Sequence, residues 1–339
     1  MLELIDQLEA GRALSRAEAE ALMQELLSGA VPTAAIVRML EAMNRRPVQA
    51  CELAGFAQVM RAHAAPVFRT GDGALRNLVD TCGTGGKTAS TFNISTAAAI
   101  VASAAGASVA KHGNRGMSSR SGSADVLEAL GVRIDLPIER FGEAIREIRI
   151  GFLFAPAAHT ATRHAGPARK KIGVRTVFNL LGPLTNPAGA AFQVAGVPSE
   201  ELIDLIAGAL AELGVKRAFV VHGAGGLDEI SLAGETLAAE VRDGTVRRFT
   251  LTPEDFGLER APLEAVLGGT PGENAERIRR VLAGEGGAAR DIVAMNASAA
   301  LVACGAAADF REGAAMAARA IADGSAAEKL AALVQFTNR

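Results

Sequence analysis

The chain has 339 residues, 49% of them hydrophobic, and a formal net charge of −2 at pH 7. This length suits one large domain or two medium domains with a full core. The near-neutral charge does not favour a nucleic-acid-binding surface, and three scattered cysteines without a CxxC pair favour neither a disulfide framework nor a zinc site.

The first 66 residues are predicted to be entirely helical. Ser15 and Glu18 form a capping-box pattern before an apolar-periodic helix, and Gly29 is expected to end that helix. Pro32 and Pro47 are predicted in the first turns of the next two helices. Short connections between such helices indicate a small bundle.

The sequence predicts a cytoplasmic protein that does not enter a membrane. Glu3 and Asp6 occupy the place where a secretory signal peptide has basic residues. Residues 88–110 carry no charge, but they are mostly Ala, Ser, Thr and Gly and include Asn93. This stretch is too weakly apolar for a membrane span, so a buried helix is the better interpretation.

From about residue 76 the pattern changes to short apolar strands that alternate with helices. The predicted strands are 78–83, 108–113, 151–156, 192–197 and 217–223. Such alternation is typical of an α/β domain with a mostly parallel sheet. Residues 236–251 carry Asp-Gly between two alternating runs and predict a β-hairpin, and the chain is predicted to be helical again from about residue 263.

The glycine-rich stretch GTGGKT, residues 83–88, follows the first predicted strand. It is not a P-loop, because the required first glycine would fall on Thr81, and it is not a dinucleotide fingerprint, because the third glycine would fall on Thr88. A strand, a glycine turn and then a helix capped by Asn93 or Ser95 can still bind phosphate. An ordinary turn between a strand and a helix is the alternative.

A second polar loop, KHGNRGMSSRSGSAD at 111–125, also follows a predicted strand. Its three cations and four serines could surround a polyanion, although a solvated basic turn is an alternative. Since ligands collect at the carboxyl ends of strands in α/β sheets, the two loops together favour a phosphate site.

Two further stretches carry charged candidates. The basic run at 159–187 contains Arg163, Arg169, Lys170, Lys171 and Arg175. An arginine on a helix there could hold a carboxylate with its two-pronged guanidinium, and a solvated helix face is the alternative.

The stretch GLDEISL places Asp228 beside Glu229 after a predicted strand, where two carboxylates could bind Mg²⁺. A surface turn is the default interpretation of such a pair. The histidines show no trustworthy metal spacing and are interpreted as structural; they include His112, His159, His164 and His222.

These four stretches together resemble the anthranilate phosphoribosyltransferase family. The resemblance rests on GTGG, NIST at 93–96, KHGNR at 111–115 with its SGSAD extension, FNLLGPLTNP at 178–187 and the Asp-Glu pair. It implies a homodimer whose small helical domain comprises residues 1–66 plus about 165–185. The α/β domain would comprise 67–164 plus 186–339, with the active site in the cleft between the two domains.

The resemblance also implies the substrates and the residues that bind them. Phosphoribosyl pyrophosphate (PRPP) would be bound by Gly83, Gly86, Lys87, Thr91, Asn93, Ile94, Ser95, Thr96, Lys111, His112, Gly113, Asn114, Arg115, Gly116, Met117, Ser118, Ser119 and Ser123. Anthranilate would be bound by Gly83, Asn114 and Arg169, and Mg²⁺ by Ser95, Asp228 and Glu229. The reaction needs no strong base to begin, because the aromatic amine is already neutral, and no general base is assigned.

Lys87 departs from the family pattern, which usually has Asp after GTGG. This exchange changes the local charge by two units beside a polyanionic ligand. We therefore expect Lys87 to contact the pyrophosphate and to alter the Mg²⁺ dependence.

Two other functions remain open at this stage. A pyrimidine nucleoside phosphorylase-like enzyme would share the architecture but lack KHGNR, the paired acids and Arg169. A non-enzymatic relative that binds nucleic acid would show a basic surface and salt-steep binding.

Overall fold

The computed structural model describes residues 1–69, 75–86, 90–116 and 120–339. The helices are α1 (Leu2–Glu9), α2 (Arg16–Ser28), α3 (Thr33–Asn44), α4 (Ala50–Ala62), α5 (Ile94–Ala104), α6 (Ser123–Ala129), α7 (Ile138–Ile148), α8 (Ala155–Ala158), α9 (Gly166–Ile172), α10 (Phe178–Leu181), α11 (Glu201–Glu212), α12 (Pro271–Leu282), α13 (Ala288–Ala303), α14 (Phe310–Ala322) and α15 (Ser325–Thr337). The strands are β1 (Leu78–Thr81), β2 (Ser108–Gly113), β3 (Ile150–Phe154), β4 (Phe192–Gly196), β5 (Arg217–Gly223), β6 (Thr236–Arg242) and β7 (Thr245–Leu251).

The N-terminal helices begin and end largely where their capping residues predict. Ser15 and Glu18 form the expected capping box of α2, and Gly29 ends that helix in the left-handed conformation. Pro32 stands at the N-cap of α3, one position before the first turn. The prediction for Pro47 is wrong, because α4 begins only after Gln49.

The late start of α4 has a local cause. Glu52 accepts a hydrogen bond from the Gln49 N–H at 2.8 Å, which caps the helix at that residue. The buried Glu52 carboxylate also accepts the Leu14 N–H at 2.9 Å and pairs with Arg46. The cap itself is local, whereas the contact of Glu52 with Leu14 is long-range and is not revealed by local sequence.

The seven strands form one sheet in the order β3-β2-β1-β4-β5-β6-β7. The pairs from β3 to β5 are parallel, and β5-β6 and β6-β7 are antiparallel. This confirms the predicted α/β fold with a mostly parallel sheet. The hairpin is also confirmed: Asp243 and Gly244 both have positive φ at the β6–β7 turn.

The strand order brings several loops to one edge of the sheet. β1 lies between β2 and β4, so the chain moves outward in opposite directions on either side of the β1/β4 pair. In open α/β sheets, ligands bind at the carboxyl ends of the strands beside such a reversal. The loops after β1, β2 and β4 meet there.

The two faces of the sheet pack against different helices. Val194 and Phe219 face a hydrophobic cluster that contains α5 and the C-terminal helices. Ala195 and Ala218, one position along each strand, face a second cluster that contains α1–α4 and α11. Residues of the 165–184 segment belong to this second cluster. The predicted domain boundaries stay a prediction.

Among the described residues, no helix is long and apolar enough to cross a membrane.

Candidate active site

The glycine loop after β1 packs directly on the end of β4. The Thr84 N–H donates to the Gly196 carbonyl at 2.9 Å. A Cβ added to Gly83 would lie 2.8 Å from that same oxygen, so Gly83 must be glycine for the loop to approach this closely. Lys87, next to this loop, lies outside the described residues.

Gly196 is a site residue that sequence reasoning missed. A Cβ added to it would lie only 1.7 Å from the Asp228 carbonyl oxygen, because the backbone of the acidic segment crosses its face. Its signal in the sequence was a glycine at the carboxyl end of an apolar run. This packing brings the Asp-Glu pair against the glycine loop.

The three predicted Mg²⁺ ligands line one small cavity, of about 40 Å³, at the β1/β4 edge. Ser95, Asp228 and Glu229 contribute to its walls, together with Gly83 and Asn296. The Ser95 N–H, in the first turn of α5, donates to Glu229 Oε1 at 3.3 Å. Oxygen atoms from a hydroxyl and two carboxylates are the donors that Mg²⁺ prefers.

Asn296 is the second residue that sequence reasoning missed. Its side chain accepts the Ile230 N–H at 2.9 Å and donates to the Ile230 carbonyl at 3.0 Å. It also donates to the Ile292 carbonyl within α13. The buried Asn296 amide, on the Ala-rich helix α13, thus holds the backbone just after Glu229. In the sequence this residue stands out only as an Asn among mostly apolar residues.

Lys111 is buried, and its ammonium group links two elements of the site. It donates to the Thr81 carbonyl, to Thr81 Oγ1 at 3.3 Å and to Ser95 Oγ at 3.3 Å. Lys111 therefore lies beside a predicted metal ligand and not in solvent.

Asp80 lies fully buried beneath Lys111, where desolvation raises the pKa of its carboxyl to about 6 despite the nearby ammonium. Its Oδ1 accepts the His112 N–H at 3.0 Å, which joins β1 to β2. This carboxyl consequently titrates in a range where most aspartates are already ionised.

His112 is held as a neutral ring. Its Nδ1 lies 3.0 Å from the Gly182 carbonyl, which can only accept, so we assign the proton to Nδ1. Burial lowers the pKa of His112 to about 3. Its ring meets His159 edge-on, and His159 Nε2 in turn lies 2.9 Å from the Thr185 carbonyl. His112 Nδ1 and His159 Nε2 each meet a backbone carbonyl, as expected of structural histidines, but the buried His112 Nε2 has no hydrogen-bond partner among the described residues.

The β1–β2 register also assembles a group of possible ligand atoms that the sequence spacing did not reveal. Asp80, Cys82 and His112 each offer one ligand atom, and these atoms lie within 4.8 Å of one another. Burial raises the pKa of the Cys82 thiol, so it is protonated at neutral pH. The group lies directly behind the glycine loop.

The KHGNR loop is held by the acids of α6. Arg115 forms ion pairs with Asp125, at 3.1 Å, and with Glu128. Asp125 Oδ2 accepts the Gly116 and Gly122 N–H groups at 2.8 and 2.9 Å. The loop is thereby folded back on the N-terminus of α6. Met117, Ser118 and Ser119, predicted to bind PRPP, lie outside the described residues.

Asn114 and Ser123 lie at the base of this loop. The exposed Asn114 accepts a hydrogen bond at its carbonyl from Ser123 Oγ at 3.2 Å. A Cβ on Gly113 would lie 2.2 Å from the same Ser123 oxygen, which explains the glycine at that position.

The residues around the start of α5 divide into polar and core positions. Asn93 is the N-cap residue, but its side chain does not cap the helix; it bonds Ser121 and Asn274. Ile94 and Thr96 have buried side chains, and their N–H groups donate to the Phe92 and Asn93 carbonyls at 2.8 and 3.2 Å. Thr91 is buried too and pairs with Leu267 across an isolated bridge.

Arg169 lies on α9, as predicted, and is half buried. Its guanidinium lies 5.3 Å from the ring centre of Phe178, and burial lowers its pKa. Among the described residues no ion pair involves Arg169. The three predicted anthranilate residues come from three separate elements: the loop after β1, the loop after β2, and α9.

Comparison with known proteins agrees with this architecture. Residues 2–64 match the model of the helical bundle domain of a glycosyl transferase family, and residues 75–327 match the model of its α/β domain. These matches define the class of the protein.

Individual relatives narrow the class. The chain is 54% identical to an anthranilate phosphoribosyltransferase of Solibacter usitatus, over 95% of this chain and 94% of that one. It superposes on the Thermus thermophilus enzyme of that name with a TM-score of 0.92, 46% identity and 99% coverage of both chains.

The Saccharomyces cerevisiae enzyme of that name, solved in complex with PRPP and Mg, has a TM-score of 0.89 and 28% identity over 99% of this chain and 97% of that one. The chain therefore belongs to the anthranilate phosphoribosyltransferase family, which confirms the resemblance carried by its loops.

Proposed function

We propose that this chain transfers the 5-phosphoribosyl group of PRPP to the amino group of anthranilate. The products are N-(5'-phosphoribosyl)anthranilate and pyrophosphate, in the second step of tryptophan biosynthesis from chorismate. The observation that carries the proposal is the cavity at the β1/β4 edge, where Gly83, Ser95, Asp228 and Glu229 come together in a member of this family.

Ser95, Asp228 and Glu229 are the residues that we propose to hold Mg²⁺. Their hard oxygen donors and shared cavity suit this ion. When bound, Mg²⁺ would help to neutralise the charge that builds on the departing pyrophosphate.

Hydrogen-bond donors of the chain would also stabilise the negative charge on the departing pyrophosphate. Backbone N–H groups of the glycine loop lie next to the β1/β4 edge, where they could bind an anion, whereas the first-turn N–H groups of α5 already donate to Phe92, Glu229 and Asn93. Lys111 adds a full positive charge and fixes the Ser95 hydroxyl at 3.3 Å. As pyrophosphate leaves, positive charge develops at the ribose C1 and negative charge develops on the pyrophosphate. The glycine loop and Lys111 are already in place to stabilise that negative charge.

Anthranilate needs mainly to be positioned. We propose that the Arg169 guanidinium holds its carboxylate, which directs the ortho-amino group towards C1. Arg169 is half buried and has no acidic partner among the described residues. A substrate carboxylate would therefore give this desolvated cation its counter-charge. The amine is neutral at the start, so no residue is assigned as general base.

The test is the loss of anthranilate fluorescence on addition of PRPP and Mg²⁺. A chain without Trp or Tyr adds little background. Wild type should consume anthranilate only when Mg²⁺ is present. Arg169→Ala should raise KM for anthranilate about ten- to hundredfold, the worth of a charged hydrogen-bonded contact. The matched control is Lys170→Ala, which removes an exposed cation from the same helix.

A flat trace from folded wild type across a range of Mg²⁺ concentrations would refute the proposal. Phosphate-dependent cleavage of thymidine or uridine would then indicate the phosphorylase alternative. Equal KM values for Arg169→Ala and Lys170→Ala would refute the assignment of Arg169 alone. We also propose that the protein is a cytoplasmic homodimer. Light scattering coupled to size-exclusion chromatography tests the dimeric state.

A further inference from the structure

Arg175 lies against the glycine loop after β1. Its Nη2 donates to the Gly85 carbonyl at 3.4 Å. Its Nη1 lies 1.8 Å from the point where a Cβ on Gly86 would stand, and Gly86 has a φ of +88°. The left-handed backbone favours glycine at position 86, and the absence of a side chain there lets the Arg175 guanidinium lie on its face.

The backbone of Arg175 is fixed while its side chain is exposed. Its carbonyl accepts the Asn44 Nδ2–H at 3.0 Å, at the end of α3. The Thr176 N–H next to it donates to Asn179 Oδ1 at 2.9 Å, and the Thr176 residue is buried. The guanidinium is thus projected from an anchored segment towards the loop.

The charge of this guanidinium is not neutralised by the described part of the chain. No ion pair among the described residues includes Arg175, whereas Arg115 at the neighbouring loop is paired with two acids. Of its five N–H donors, the described contacts use one, to Gly85. An uncompensated cation with spare donors beside a glycine loop is suited to an anionic ligand.

We propose that Arg175 is a positioning residue for the diphosphate group of the phosphoribosyl donor, an inference that rests on the proposed function. The loop offers backbone N–H groups, and Arg175 adds a forked positive charge from the helical side of the site. Its anchor on Asn44 belongs to the helical bundle, and Gly85 belongs to the loop after β1, so the same contact ties the bundle to that loop. Binding of the phosphoribosyl donor would then draw the helical bundle and the loop after β1 together.

The experiment compares Arg175→Gln and Arg175→Lys with Arg163→Gln, which removes an exposed cation from the same basic run. KM for PRPP should rise about ten- to hundredfold in Arg175→Gln, as expected for a charged hydrogen bond. KM for anthranilate and the unfolding temperature should stay close to those of Arg163→Gln. Arg175→Lys should recover part of the loss, because it keeps the charge but not the fork.

Calorimetric titration of PRPP with Mg²⁺ gives a readout that does not depend on turnover. Weaker binding in Arg175→Gln supports the inference even if wild type proves unable to consume anthranilate, an outcome that would refute the proposed reaction only. PRPP affinity equal to that of Arg163→Gln would overturn the inference. So would a rise in both KM values with a lowered unfolding temperature, which would mean that Arg175 only supports the loop.

Discussion

Gly196→Ala should displace the backbone at Asp228 from its position against the glycine loop. The new Cβ would lie 1.7 Å from the Asp228 carbonyl oxygen and 2.5 Å from its carbonyl carbon. Real Cβ contacts essentially never fall below 3.0 Å, so the two atoms must separate by about 1.3 Å, the difference between 3.0 and 1.7 Å. The obstacle is backbone and cannot rotate away.

The displacement should affect activity more than folding. A shift of about 1 Å in a positioning group can lower the rate about a hundredfold. Overpacking in a close-packed region costs about 1–3 kcal/mol of the free energy of unfolding, which a domain of this size can tolerate. We expect a folded variant with kcat/KM lower by about a hundredfold and a raised Mg²⁺ requirement, because Asp228 moves away from Ser95.

The assay is the anthranilate fluorescence decay over a Mg²⁺ titration, with urea unfolding measured in parallel. Gly272→Ala is the matched control, because a Cβ there meets nothing within 4 Å and the residue lies in α12. Activity of Gly196→Ala within about threefold of this control would contradict the reasoning, since a displacement of about 1 Å is expected to cost far more.

Three other variants test separate parts of the site. Burial raises the pKa of Asp80 from 3.8 to about 6, so the native state keeps this proton to a higher pH than the unfolded state does. The free energy of unfolding should therefore fall by about 3 kcal/mol as pH rises from 3.8 to about 6. Urea unfolding of Asp80→Asn should not show this fall, and pH curves that run parallel for the variant and the wild type would rule the effect out. Glu229→Gln keeps an acceptor for the Ser95 N–H but loses a charge, so the Mg²⁺ concentration for half-maximal rate should rise about tenfold or more; an unchanged value would remove Glu229 from the metal site. Lys87→Asp should shift the Mg²⁺ optimum, and an identical titration would show that Lys87, which lies outside the described residues, is merely solvated.

Local chemistry was sufficient to predict much of the helical and strand pattern. The Ser15–Glu18 capping box and the Asp243–Gly244 turn are decided within a few residues, and both are confirmed. Pro47 shows the limit of this reasoning. Its helix starts later, where Glu52 caps the Gln49 N–H, and Glu52 is itself held by the Leu14 N–H, 38 residues away in sequence.

The sequence by itself determined the alternation of strands and helices, the family, and the two polar loops expected at one edge of the sheet. These features depend on periodicity, turn residues and short motifs, which are local. Only the tertiary structure decided that Gly196 supports Asp228, that Asn296 holds the segment after Glu229, and that Arg175 lies on Gly86. Each of these contacts joins residues far apart in the chain, and close approach of two backbones leaves no mark in sequence beyond a single glycine.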